Sequence, residues 1–152
     1  MPQAWRIVKK KHAATAFSGK GAADYGGRWN SRGVPIVYTS GSKSLAALEI
    51  LVHLNPLVIL EYVAIRVEFD YTLVEQFPFE KLPEDWQAEP SPPIAQHIGD
   101  VWANQARSVV LAVPSAIISG EPNFLINPAH RDFKKIRLGK PEPFTFDPRL
   151  LT

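Results

Sequence analysis

The chain has 152 residues, 45% apolar and 21% charged, enough to bury the core of one ordinary globular domain and too apolar for a disordered chain. It holds no cysteine, which excludes disulfides and thiolate metal sites and suits a reducing cytosol. The formal net charge of +2 is unevenly spread: residues 1–44 carry eight Lys or Arg against Asp24 alone, whereas residues 49–100 carry ten acids against Arg66 and Lys81.

A basic amino-terminal segment fits an anionic ligand. The acidic middle argues against a broad nucleic-acid groove. The Lys9-Lys10-Lys11 run is equally well read as a solvated face. Met1 to Lys11 has no apolar run of the kind a signal peptide needs, and no stretch reaches transmembrane length. The apolar run Leu57 to Leu60 has only the length of a strand. A cytoplasmic protein is the expectation, with no membrane partner.

Trp5 to Val8 reads as a first strand. Phe17 to Asn30 is glycine-rich and reads as loop or irregular helix. Ile36 to Thr39 is a short β-branched and aromatic run, hence a second strand. Ser42 or Ser44 can cap a helix from Leu45 to about Leu54, with Leu45, Leu48, Leu51 and Val52 as its apolar stripe and Pro56 as its stop. Leu57 to Phe69 follows as a long strand with Val63, Ile65, Val67 and Phe69 on one face. Phe77 to Pro93, with five prolines and several acids, reads as an exposed excursion.

Ser91-Pro92-Pro93 opens a second helix, with Ile94, Ile98, Val101, Trp102 and Gln105 on its buried side. Ser108 to Val113 is a buried strand ending at Pro114-Ser115. Ala116 to Ser119 and Phe124 to Ile126 are further strand candidates. Pro128 to Lys134 is a short helical turn, and Ile136 to Leu138 and Phe144 to Phe146 close the sheet. These elements make one compact α+β domain over residues 1–152.

The chemistry concentrates in Gly26-Gly27-Arg28-Trp29-Asn30, Val37-Tyr38-Thr39-Ser40 and Leu48-Glu49. A glycine pair has a steric reason and lets a backbone approach a ligand. Arg28 offers a flat fork of donors for phosphate or carboxylate, although a surface arginine is the plain alternative. Tyr38 offers a stacking face or ordinary strand packing. Glu49 lies one turn after Leu45, at the edge of the apolar stripe, where a carboxylate is either paired or functional. His53, one turn further, could bond Glu49 or simply end the helix, and the second role is the simpler. Trp29 reads as core or wall. Arg6 is position-fixed between Trp5 and Ile7. The set suggests a nucleotide-sugar site, with NAD⁺ the best candidate. No Walker loop, strand-linked GxGxxG, GxSxG elbow or zinc-like histidine spacing is present.

The chain resembles the RES-domain family, the toxin half of Xre–RES toxin–antitoxin pairs. The resemblance rests on Trp5-Arg6, Ser18 to Ala23, Gly26 to Asn30, Val37 to Ser40 and Leu45 to Glu49. It continues through Ile98 to Trp102, Val113-Pro114-Ser115, Asn123 to His130 and Phe146 to Leu150. It implies an ADP-ribosyltransferase-like α+β fold, two small antiparallel sheets around a cleft with flanking helices. It implies NAD⁺ as substrate, cleaved between nicotinamide and ribose by hydrolysis or phosphorolysis, with no metal or further cofactor. Protein ADP-ribosylation in the same cleft is the alternative, and a non-enzymatic RNA-binding module a distant one. Within the resemblance Arg28 holds phosphate or ribose, Tyr38 stacks on nicotinamide, Glu49 is the catalytic carboxylate and Arg6 is a second basic residue of the cleft. Ser91 is the first choice for the family's serine and Ser115 the second. The implied partner is an Xre-type helix-turn-helix antitoxin, with the toxin as a homodimer inside the complex.

Overall fold

The computed structural model describes residues 2–54 and 61–151. Strand β1 (Gln3–Lys9) leads through a 3-10 turn to the short helix α1 (Lys20–Tyr25), then β2 (Val37–Ser40) and helix α2 (Lys43–Leu51). Next come β3 (Tyr62–Glu68), β4 (Val74–Gln76) and helix α3 (Pro93–Gln105). The chain closes with β5 (Val110–Pro114), β6 (Pro122–Ile126), β7 (Arg137–Leu138) and β8 (Glu142–Phe144). The expected Pro56 stop and the Leu57–Leu60 part of the third strand lie outside the described residues. Among the described residues no helix is long and apolar enough to cross a membrane.

The α+β class holds, but the strands form one path rather than two separate sheets. Their order is β4-β5-β6-β2-β1-β3-β7, with β8 also on β3. Seven residue pairs join β1 to β3 and four join β2 to β6, whereas β1 and β2 share only Trp5 opposite Ser40. The sheet is therefore two halves meeting at a narrow seam. All pairs are antiparallel except β4 with β5, which run parallel.

Alternation along the strands separates two faces. Ala4, Val37, Val67, Val110 and Ile126 point to one face and form a core spanning the seam. The other face carries both longer helices. There α3 covers one half through Ala95 and Trp102 on Leu111, Val113 and Leu125. Beside it α2 covers the other half through Ala46 and Ala47 on Ile7, Tyr62 and Ala64.

The Ser42 side chain caps α2 by accepting from Leu45 N at 3.1 Å. Of the expected stripe Leu45 is buried and Leu51 half-buried, whereas Leu48 is exposed and Val52 is 56% exposed, and Ala46 and Ala47 complete the buried face. The helix rests its first turn on the sheet, where alanines allow close approach, and Ile50 and Leu51 continue the contact half-buried. Likewise α3 buries Ala95, Gly99 and Trp102, while Ile94 is exposed and Gln105 faces water. The cause is steric. A Cβ on Gly99 would lie 1.7 Å from the Trp29 carbonyl oxygen, so the small residues face the 26–31 loop.

Two further expectations change. Ala116 to Ser119 is a bend and turn, not a strand, because Ser115 Oγ takes the N–H groups of Ile117 and Ile118 that a ladder would need. The 77–93 excursion is not merely exposed: Phe77, Leu82 and Trp86 pack on the α3 core, and the Trp86 ring lies 6.0 Å from that of Trp29.

Gly99→Ala forces the 26–31 loop and α3 apart. It should lower unfolding free energy by about 1–3 kcal/mol, read by chemical denaturation. An unchanged midpoint would show that the approach of α3 to Trp29 is not tight.

Candidate active site

The 26–31 loop is shaped by one buried side chain. Asn30 is 0% exposed. Its Nδ2 donates to the carbonyls of Ala22 at 2.8 Å, Val34 at 3.0 Å and Ser31 at 3.2 Å. Its Oδ1 accepts the Tyr38 hydroxyl at 2.6 Å, and that hydroxyl accepts from Trp29 N at 3.0 Å. Tyr38 is thus fixed at its tip. Burial pushes its phenol well above the ordinary range, so it stays a neutral donor at physiological pH. A Cβ on Gly27 would meet the Tyr38 hydroxyl at 2.7 Å, the steric reason for glycine at that point. Helix α3 pins the same loop: Asp100 Oδ1 accepts from Ser31 N at 2.9 Å, and Gln96 donates to Gly27 O and Asn30 O.

Arg28 projects from this loop and meets the excursion. Its Nη1 donates to Trp86 O at 2.8 Å and Ala88 O at 3.0 Å, and its Nη2 pairs with Glu89 at 3.1 Å. The arginine side chain is 18% exposed and the glutamate 70%. Ser91 donates to Arg28 O at 2.7 Å, so it belongs to this group through the main chain.

Glu49 anchors a second group. It emerges from α2 on the side of Leu45, facing the sheet. Its Oε2 accepts from Ser115 Oγ at 3.1 Å and from Asn123 Nδ2. Its Oε1 accepts no hydrogen bond among the described residues. Tyr38 lies opposite Leu125, and Ser40 opposite Asn123, on the helix-bearing face. The two groups therefore share one face of β2 and β6, in the space between α2 and α3.

Arg6 leaves β1 toward the opposite face, since Trp5 and Ile7 point to the α2 side. Its guanidinium lies at the seam, where Nη1 donates to Tyr38 O at 2.9 Å and Nε to Ala16 O. Burial lowers its pKa to about 10, which leaves it charged at neutral pH. The structure thus joins Arg6 to the backbone of Tyr38 rather than to its ring. His53 is exposed beyond α2 and makes no bond to Glu49 among the described residues. Also among the described residues, no group of three or more His, Cys, Asp or Glu could hold a metal.

Spacing along the chain points to Arg28, Tyr38 and Glu49 but not to Asn123, which is 74 residues from Glu49. Nor does it reveal Glu89 or Gln96, which look like solvated polar residues. Asn30 was within reach: a polar residue ending a glycine-rich loop is a candidate for backbone satisfaction.

The family model described as RES domain matches residues 3–147. A Sphingobium protein named Prs ADP-ribosylating toxin is 40% identical over 153 residues, covering 97% of this chain and 95% of its own length. A Yersinia enterocolitica protein named Toxin Res is 36% identical over 148 residues, covering 96% of this chain and 97% of its own. The crystal structure of the M. tuberculosis MbcT–MbcA toxin–antitoxin complex contains a chain that superposes with a TM-score of 0.73. At 18% identity, over 98% of this chain and 86% of that one, it is a likeness of fold. A match spanning nearly the whole sequence, together with relatives at this level of identity, means that the chain belongs to the RES domain family.

Proposed function

We propose that this protein is a toxin that cleaves NAD⁺ between nicotinamide and ribose, with Glu49 as the catalytic carboxylate. The observation that carries the reading is the position of Glu49. One carboxylate oxygen is held by Ser115 and Asn123, and the other accepts nothing among the described residues, on the face that also bears Tyr38. The names of the Yersinia and Sphingobium relatives support a toxin that uses ADP-ribose chemistry.

Nicotinamide in NAD⁺ is already cationic, so its departure needs no acid. The bond electrons pass to the ring nitrogen, and positive charge develops on the ribose. Glu49 stabilises that oxocarbenium-like centre electrostatically. Water or phosphate then attacks the anomeric carbon and loses a proton. Tyr38 supplies a ring face for nicotinamide, a contact worth about 1 kcal/mol. Arg28 offers Nη2 to the pyrophosphate by exchanging Glu89 for a ligand anion, with Nη1 held on the carbonyls of Trp86 and Ala88. Arg6 adds buried positive charge behind the Tyr38 strand. Of the two serines, Ser115 has the closer tie to the chemistry through Glu49, whereas Ser91 shapes the Arg28 loop. The proposed reaction requires no metal or second cofactor.

A second acceptor, a side chain of a cellular protein, is favoured by the name of the Sphingobium relative. The toxin–antitoxin complex of similar fold supports a separate antitoxin as partner. An Xre-type helix-turn-helix protein bound to a toxin homodimer in the cytoplasm, where NAD⁺ is abundant, completes the reading.

Glu49→Gln should keep the fold and NAD⁺ binding and lower nicotinamide release by about 10²-fold or more. Turnover equal to the parent's, with or without phosphate, would remove Glu49 from the mechanism. Labelled NAD⁺ incubated with a cell extract distinguishes the acceptors, because only protein transfer leaves label on a polypeptide.

Glu89→Gln removes the carboxylate that competes with substrate for Arg28. It should lower the KM for NAD⁺ by up to roughly fivefold with kcat unchanged, since an exposed ion pair is worth about 0–1 kcal/mol. A raised KM would mean that Glu89 assists binding instead.

A further inference from the structure

The amide of Asn123 is the least comfortable polar group in the fold. It sits on β6, an inner strand between β2 and β5, opposite Ser40 on one side and Val113 on the other. Its neighbours on that face include the buried Leu125 and Val113. An apolar side chain would suit the position. Asn123 instead directs Nδ2 at Glu49 Oε2. Its Oδ1 is enclosed without a hydrogen-bond partner, and it is the sole buried side-chain atom in that condition among the described residues.

The orientation of this amide is forced. An ionised carboxylate only accepts, so the nitrogen must face Glu49 and the oxygen must face away. Flipping the amide would set two acceptors against each other. The oxygen is thus left unsatisfied because the donor is needed on Glu49. Such a group in a native fold calls for an explanation beyond packing.

We infer that Asn123 is the positioning residue of Glu49. Its Nδ2–H, beside the Ser115 hydroxyl, fixes one carboxylate oxygen so that the other faces the cleft. The geometry supports this directly. Ser115 alone would leave the carboxylate free to turn about a single hydrogen bond. The second donor comes from a rigid inner strand, and two donors on one oxygen define the direction of the other. Ser115 is itself held by taking the N–H groups of Ile117 and Ile118. The inference rests on Glu49 being the catalytic carboxylate.

The test compares the full-length parent with Asn123→Asp, Asn123→Ala and Glu49→Gln. Asn123→Asp keeps the shape and replaces the donor with an acceptor, and Asn123→Ala removes the group without adding charge. Each is measured for nicotinamide release and, by titration calorimetry, for NAD⁺ binding. Both Asn123 variants should lose kcat on the order of 10²-fold while the dissociation constant for NAD⁺ stays near the parent's. The exchanged pair Glu49→Gln with Asn123→Asp restores a donor–acceptor match. It should recover the melting temperature lost in Asn123→Asp without recovering turnover. Loss of binding in step with kcat would overturn the inference, as would parental kcat in either Asn123 variant while Glu49→Gln is inactive. Parental turnover in Glu49→Gln would instead refute the catalytic reading of Glu49, and the inference would fall with it.

Discussion

The buried side chain of Asn30 is the constraint on which the candidate site depends. One amide gathers three carbonyls of the surrounding chain and accepts the hydroxyl of Tyr38. A hydrophobic residue there would leave these polar groups unpaired in the interior, at a cost of about 1–3 kcal/mol each. With Asn30 present, the loop is narrow enough for α3 to lie against it at Gly99. Arg28 then emerges at a fixed point and the 86–89 segment folds onto it. Local polar satisfaction, helix packing and the placement of a guanidinium are consequences of one residue.

The candidate site is assembled from separated parts of the chain. Strand β2 brings Tyr38, α2 brings Glu49, and the turn after β5 brings Ser115. None of these elements is unusual by itself. What brings them together is the shared face of β2 and β6 between α2 and α3. Ala46 and Ala47 keep α2 low on the sheet, which brings a side chain as short as Glu49 within reach of β6, whereas Gly99 brings α3 against the 26–31 loop.

Much of this was legible in the sequence. The first two strands, the Ser42 cap and the glycine pair each follow from local rules that tertiary contacts did not override. Arg28, Tyr38 and Glu49 stood out because their residue types and spacing fit one ligand chemistry. The helix faces are legible in part: Leu45 and Trp102 are buried as their spacing predicts, but close packing also selects Ala46, Ala47, Ala95 and Gly99 and leaves Ile94 and Val52 outside. The 77–93 segment looked polar because its acids and prolines outnumber Phe77, Leu82 and Trp86, the residues that anchor it. The partnership of Asn123 with Glu49 leaves no local trace, since it exists only once β6 has been placed beside β2.

The single residue pair between β1 and β2 has a mechanical consequence. Backbone pairing at one spot between two plates resists sliding but adds little against torsion, which is left to the core beneath the seam and to side chains that cross it. Helix α2 rides on the plate containing β1 and β3, yet its Glu49 is fastened to β6 and to the turn beyond β5, on the other plate. Arg6 adds a strut from β1 to the backbone of β2. These distant fastenings, set away from the weld, remove the torsional freedom that the weld alone would permit. The carboxylate is therefore also a brace, and the stiffness of the cleft depends on the same bonds that aim it.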